Sequence, residues 1–434
     1  MKFYSTNGQA PIASLEKAVV KGLAEDKGLY MPERIKPLPQ SFFDNIEHLS
    51  FQEIAYTVAD AFFGEDVPAE DLKRIVYDTL AFDCPVKKVK DNIFALELFH
   101  GPTLAFKDVG ARFMARLLQY FIKREGQKGL VNVLVATSGD TGSAVANGFL
   151  GVDGIHVYVL YPKGKVSPIQ ECQFTTLGQN ITAVEVDGVF DDCQALVKTA
   201  FMDAELNQHM KLTSANSINV ARFLPQSFYY FYAYAQMKRM GLADNLVICV
   251  PSGNFGNICS GLFGKRMGLP VKRFIAANNA NDIFYNYLQT GEYNPRPSVQ
   301  TIANAMDVGD PSNFARIYDL YKKDHAAICA DISGCTYTDE QIAESIRAAY
   351  EETGYLCDPH GAVGYRALCE GLKEGEVGVF LETAHPAKFL ATVEKIIGKE
   401  VEIPAKLAAF MEGTKQSVSM SKDFADFKAF LMKQ

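Results

Sequence analysis

One lysine of this chain stands among residues that leave it little water. In Leu98-Phe99-His100-Gly101-Pro102-Thr103-Leu104-Ala105-Phe106-Lys107-Asp108, Lys107 follows the apolar run Ile93-Phe94-Ala95-Leu96 and precedes Phe113, Met114, Leu117, Leu118 and Phe121 at helical spacing. Burial disfavours the ammonium form, so a lysine held there titrates more easily and becomes a usable amine. Lys107 also falls at the expected start of the helix, whose positive end opposes its charge further. An amine poised this way can form a Schiff base with an aldehyde cofactor. The rival reading is a lysine with a buried stem and its head in water. Other segments favour the first reading, because they supply what a phosphorylated aldehyde needs.

Ser252-Gly253-Asn254-Phe255-Gly256 joins an apolar strand to a helix start. Glycine lets the backbone approach a ligand, and the free N–H groups of a first helical turn attract an anion. The loop suits one phosphate monoester, or it is a tight turn. It is neither a Walker loop nor a dinucleotide fingerprint, since it lacks the Lys-Ser/Thr ending and the glycine spacing. Thr137-Ser138-Gly139-Asp140-Thr141-Gly142 repeats the architecture with three hydroxyls and can hold a second anion. Asp140 repels an anion unless it points away, so it either caps the next helix or shapes the site. Ser214, Asn216, Ser217, Asn219 and Arg222 gather before an aromatic-rich segment (Phe228, Tyr229, Phe231, Tyr232). Arg222 can grip a phosphate through two parallel hydrogen bonds, or it is a surface arginine behind a solvated cap. Lys163 and Lys165 read as a surface loop. In Glu382-Thr383-Ala384-His385-Pro386-Ala387-Lys388 the Thr383 hydroxyl can bond a ring nitrogen. His385 is an acid–base candidate that its proline neighbour makes equally fit for a structural role.

The elements that must position these loops alternate as strand, small-residue turn and helix from about residue 91 onward. Strands are expected at 131–136, 156–161, 181–186, 246–250, 271–277 and 377–381. This alternation argues for parallel sheets covered by helices. Two sheets are expected with a boundary near 240. Residues 1–90 read as a helical leader broken by Pro37 and Pro39. Residues 91–240 read as a smaller α/β domain carrying Lys107, and 241–434 as a larger one carrying the phosphate loop. The stretch 285–300 reads as an exposed loop. Ligands bind at the carboxyl ends of parallel strands, so the turns 137–142 and 251–256 can converge on one cleft between the domains.

Composition narrows the classes. The 434 residues are 48% hydrophobic and 22% charged, as in a soluble globular protein of two or three domains. A net charge of -8 argues against a nucleic-acid partner but permits a locally basic site for an anionic small molecule. The nine cysteines form no Cys-x-x-Cys pair, the seven histidines are scattered, and no metal site is expected. Cys249, Cys259 and Cys369 read as buried free thiols of a reducing compartment. With no secretory signal and no bilayer-length apolar run, a cytoplasmic location without membrane or protein partners is expected.

Taken together, the lysine segment, the loops 137–142, 252–256 and 382–388, and the opening Gly28-Leu29-Tyr30-Met31-Pro32 resemble the threonine synthase family in its bacterial and fungal branch, in the same order along the chain. The resemblance covers essentially the whole chain. It implies fold type II of the pyridoxal-phosphate enzymes, the fold of the tryptophan synthase β subunit: two parallel-sheet α/β domains behind the leader. It implies pyridoxal 5'-phosphate as cofactor. It also implies a carbon–oxygen lyase that converts O-phospho-L-homoserine and water to L-threonine and phosphate, the last step of threonine biosynthesis. By this resemblance Lys107 holds the cofactor as a Schiff base and acts as the catalytic residue. Ser252, Gly253, Asn254, Phe255 and Gly256 cradle the cofactor phosphate, and Thr383 meets the ring nitrogen. Ser138, Asp140, Thr141, Asn216, Ser217 and Arg222 face the substrate. Many relatives of the wider fold place an asparagine where this chain has Asp140. A threonine or serine dehydratase of the same fold is the closest rival, and a noncatalytic phospholigand-binding protein is the next.

Overall fold

The computed structural model describes residues 1–126 and 128–434, and three sheets organise them. β1 (Lys2–Ser5), β2 (Ala13–Ser14) and β3 (Tyr30–Pro32) form a small antiparallel sheet in the order β2-β1-β3. A six-stranded sheet contains β4 (Val86–Lys90), β5 (Ile93–Glu97), β10 (Leu246–Pro251), β11 (Arg273–Asn278), β12 (Ile332–Thr336) and β13 (Val377–Glu382). Its order is β12-β11-β10-β13-β5-β4, parallel except at the β4 edge. The five-stranded sheet is wholly parallel: β6 (Val131–Ala136), β7 (Ile155–Pro162), β8 (Ile181–Asp187), β9 (Lys211–Ser214) and β14 (Val418–Ser421), in the order β14-β8-β7-β6-β9. β6 and β10 are buried at every position, as central strands covered on both faces must be.

The sheets depart from the sequence-based partition in three places. The leader is not purely helical: its helices Leu15–Lys21, Phe51–Phe63 and Ala69–Thr79 accompany the β1–β3 sheet. The boundaries at 90 and 240 do not divide the sheets, because β5 pairs with β13 in the larger sheet and β14 returns to pair with β8 in the smaller one. Parallel partners lie far apart along the chain, so neighbouring sequence does not say which sheet a strand joins. The stretch 285–300 begins within helix Ile283–Thr290, which Ile283, Phe284, Tyr287 and Leu288 bury along one face before Gly291 ends it. Cys249 and Cys259 are buried, whereas Cys369 is exposed, and all nine cysteines are free.

The helix Lys107–Glu125 is the pivot of the core. Its Phe113 meets Phe63 of the leader at 5.0 Å and Phe228 at 5.7 Å between ring centroids. The aromatic-rich helix Ser227–Arg239 is buried along most of its length, and Tyr229 and Tyr230 both donate to Asn257 Oδ1, at 2.6 and 2.8 Å. The leader and the two large sheets thus hold one lysine-bearing helix from several sides. Among the described residues, no helix is long and apolar enough to cross a membrane.

Candidate active site

Lys107 is the first residue of its helix, and a tight loop delivers it there. Asp108 accepts from Thr103 N at 2.9 Å and from Thr103 Oγ1 at 2.6 Å. A Cβ on Gly101 would sit 2.6 Å from Asp108 Oδ2, so this loop closes only around glycine. Leu104 takes a left-handed φ of 60°. Backbone bonds then fasten the loop to the chain leaving β13: Leu98 N to Glu382 O, Phe106 N to Thr383 O and His385 N to Leu104 O, at 3.0, 2.8 and 3.0 Å. Loss of solvent pushes the Lys107 amine down to about 8; Arg222 and Lys388 add to this, and Asp140 opposes it. About a tenth of the amine is therefore unprotonated at pH 7, far more than for an ordinary lysine.

The cavity that Lys107 faces gathers the carboxyl ends of β6, β10 and β13. Its lining includes Lys107, Ser138, Thr141, Asn216, Ser217, Arg222, Ser252 to Gly256 and Thr383, which sequence reading selected from five separate segments. Phe255 adopts a left-handed φ of 66° at the N-cap of helix Gly256–Arg266. A Cβ on Gly253 would lie 2.6 Å from Ala305 O and 3.0 Å from Met306 Cα. The Asn254 side chain ties neighbouring loops together, donating to Ser217 Oγ at 2.9 Å and accepting from Ser312 N at 2.7 Å. Ser217 Oγ also accepts from Asn313 Nδ2 at 3.1 Å, and buried Arg316 donates to the carbonyls of Ser217, Ile218 and Tyr30. With its side chains so engaged, the loop leaves the N–H groups of the helix start as its means of holding an anion.

Arg222 is wholly buried. It donates through Nη1 to Ala215 O, while its Nε has no hydrogen-bond partner among the described residues. Among the described residues it makes no ion pair, and burial pushes its pKa down to about 10. An uncompensated buried guanidinium of this kind is costly unless an anion arrives to meet it.

Asp140 lies elsewhere. Gly139, not Asp140, stands at the N-cap of helix Asp140–Phe149, and no side chain caps it. The Asp140 carboxylate accepts from Gln170 Nε2 at 3.0 Å and pairs with Lys388 Nζ at 2.6 Å, behind the cavity lining. Burial alone would raise its pKa, but Lys388 and Lys107 hold it down at about 2. Lys163 and Lys165 are exposed and outside the cavity. His385 caps the turn Pro386–Phe389 by accepting from Ala387 N at 3.0 Å, and burial lowers its pKa to about 4.

Sequence reading missed His360, Ala305 and Met306, which also line the cavity. His360 donates through Nδ1 to Asp358 Oδ2 at 2.5 Å and accepts at Nε2 from Ala305 N at 3.1 Å. It thereby pins the chain segment that closes over Gly253. The available signal was Asp358-Pro359-His360-Gly361, an aspartate cap followed by proline at the first helical position. The donor set as a whole fits a flat ring bearing an aldehyde and a phosphate. A buried amine, a helix start stripped of Cβ atoms at Gly253 and Gly256, and a strand-end hydroxyl converge, and the Arg222 guanidinium is left for a second anion.

Comparison with known proteins agrees with this donor set. Residues 75–383 match the model of the pyridoxal-phosphate dependent enzymes. Residues 2–80 match that of the threonine synthase N terminus, and 361–431 that of the threonine synthase C-terminal region. The chain is 44% identical over 433 residues to threonine synthase of Haemophilus influenzae, with 100% of each sequence covered. It is 43% identical over 432 residues to that of Escherichia coli K12, covering 100% of this chain and 99% of the other. Among solved structures, Escherichia coli threonine synthase superposes with a TM-score of 0.94 at 42% identity, covering 100% of both chains. Pyridoxal-phosphate-bound threonine synthase from Brucella melitensis gives 0.92 at 36% identity, covering 100% of this chain and 99% of the other.

Proposed function

Because the chain belongs to the threonine synthase family of fold type II pyridoxal-phosphate enzymes, we propose that this cleft converts O-phospho-L-homoserine and water to L-threonine and inorganic phosphate. Lys107 would hold the cofactor aldehyde, the 252–256 loop its phosphate, and Thr383 its ring nitrogen. When bound, pyridoxal phosphate supplies an electrophilic aldehyde for the substrate amine and a conjugated ring that takes up electron density as protons leave the substrate.

The residues around it divide the remaining work. When not bonded to the aldehyde, Lys107 Nζ would be a base that takes the α proton, delivers it to another carbon of the bound conjugate, and only then takes a β proton, which it later returns to carbon. Its depressed pKa suits it to both directions near neutral pH. Thr383 offers a neutral hydroxyl, so more of the proton movement falls to Lys107. The hydroxyls of Ser138 and Thr141, beside the helix starting at Asp140, would orient the substrate carboxylate. Arg222, with Asn216 and Ser217, would hold the γ phosphate as its C–O bond breaks, before water adds at the β carbon. We place the reaction in the cytoplasm, where free thiols stay reduced.

The observation that carries this reading is the buried Arg222, without an ion pair among the described residues, in the same cavity as the Lys107 amine. A dehydratase acting on threonine or serine has no phosphate to spend on that guanidinium. The test is to incubate cofactor-loaded protein with O-phospho-L-homoserine and measure threonine and phosphate together. Equal, enzyme-dependent release of both is expected. Folded, cofactor-loaded protein that releases neither would refute the assignment.

A further inference from the structure

The chemistry derived for Lys107 leaves a second buried lysine unused. Lys388 is fully buried in the turn after β13, and its Nζ lies 2.6 Å from Asp140 Oδ1 and 2.8 Å from Thr103 O. The pair joins the smaller sheet's loop 137–142 to the larger sheet's strand end and to the loop that delivers Lys107. Ser167 Oγ and Gln170 Nε2 hold the node from a third side, bonding Lys388 O at 3.2 Å and Asp140 Oδ1 at 3.0 Å.

The charges acting on Lys107 come from three elements: Asp140 from the helix it begins, Arg222 from helix Val220–Phe223, and Lys388 from the turn. On the lysine's own helix, Asp108 spends both carboxylate oxygens on Thr103. His360, across the cavity, presents Nε2 as an acceptor already used by Ala305. Asp140 is thus the carboxylate that favours a proton on Lys107. A buried carboxylate without a partner recovers its desolvation cost by pairing with the next available ammonium.

We infer that Lys388 is a positioning residue that acts through Asp140: by claiming that carboxylate, it keeps Asp140 from ion-pairing with Lys107 and leaves the Lys107 amine free to bond the cofactor. The inference rests on Lys107 being the cofactor lysine.

The test follows Schiff-base formation by absorbance in full-length protein stripped of pyridoxal phosphate, shown folded by circular dichroism, and re-exposed to the cofactor over the neutral and alkaline range. Borohydride then fixes the bond, and peptide mass mapping locates it. Lys388→Met should raise the pH midpoint of capture by about 1 to 3 pH units. Lys388→Arg should stay near the native midpoint, and Asp140→Asn should lower it. Adding Asp140→Asn to Lys388→Met should bring the midpoint back to or below the native value, a rescue that a purely structural role would not produce. An unchanged midpoint in Lys388→Met, or a double variant as displaced as the single, would overturn the inference. If Lys388→Met does not fold, Asp140→Asn alone decides: a lowered midpoint supports the inference, and an unchanged or raised one overturns it. Native protein labelled at a residue other than Lys107 would instead refute the cofactor-lysine reading beneath it.

Discussion

Replacing Arg222 with methionine should damage catalysis far more than folding. The guanidinium is wholly buried, and its pKa falls from 12.5 to about 10, chiefly through loss of solvent. That difference corresponds to roughly 3 kcal/mol held against the folded state. Because the folded-state pKa of this base is depressed, the cost is present at every pH below about 10 and is relieved only as pH rises through that value. Methionine removes the cost and fills much of the same length. It also removes the hydrogen bond to Ala215 O, leaving a buried carbonyl short of a partner at about 1 to 3 kcal/mol. The two terms nearly cancel, so unfolding free energy should match the native protein or exceed it by up to about 2 kcal/mol.

Catalysis should respond differently. Two charge-assisted bonds to phosphate, at about 1.5 to 3 kcal/mol each, predict a loss in kcat/KM of about 10² to 10⁴. Inorganic phosphate supplies an independent assay on cofactor-loaded protein, whose other phosphate site is already filled. At a hundred times its Kd it should stabilise the native protein by about 2.7 kcal/mol in urea titrations and leave the variant unmoved. A variant destabilised by more than about 3 kcal/mol, with kcat/KM and the phosphate effect intact, would show that Arg222 is a strut and refute the reasoning.

Lys107→Ala should lose covalent cofactor attachment and nearly all turnover while remaining folded, as borohydride trapping and circular dichroism would show together. Gly253→Ala places a methyl 2.6 Å from Ala305 O, a backbone atom that cannot swing aside. The loop must shift, and cofactor retention on dialysis should weaken about tenfold or more, a loss of roughly 1.4 kcal/mol. Burial raises Asp307 to about 6 despite donors from Thr301 and Asn279. A carboxyl with a raised folded-state pKa contributes stability that is complete below its ordinary value and lost as pH rises through about 6. Against Asp307→Asn, the native protein should therefore gain up to about 3 kcal/mol on acidification from neutral pH towards 4, read by urea unfolding at each pH.

What the sequence made legible is what local pattern encodes. Lys107 at a helix start, the glycines of 252–256 after an apolar strand and Thr383 after another are each visible within a dozen residues. Their convergence could be argued because parallel strands present their carboxyl ends to one side. The partition into domains was not legible, since β5 and β14 each join partners hundreds of residues away. Nor was the fate of Asp140, whose partner Lys388 closes the 382–388 loop of the other sheet and had no assigned role in the sequence. His360 was hidden for a related reason. Its Asp358-Pro359 preamble announces a helix start, but only packing turns that start towards the cavity.

The positions of the acids in and around the cleft explain how a chain of net charge -8 can serve anions. The proposed reaction asks one cavity to accept two phosphates and a carboxylate, so its positive charge must not be cancelled from within. Asp140 is answered by Lys388. Glu382, next to Thr383 and in register with Glu97 across β13 and β5, is wholly buried. Burial and the neighbouring Asp358 push its pKa well above the ordinary range, which disfavours its charged form. Burial would raise Asp358 as well, but His360 and the N–H of Gly361 hold it low. Three buried carboxyl groups are thus kept from opposing an anion in the cavity: Asp140 is ion-paired, Glu382 has its charged form disfavoured by burial, and Asp358 is bonded to a histidine and a helix start. Arg222, wholly buried in the cavity lining, is left without an ion pair among the described residues, and in the proposed reaction the substrate phosphate would complete it.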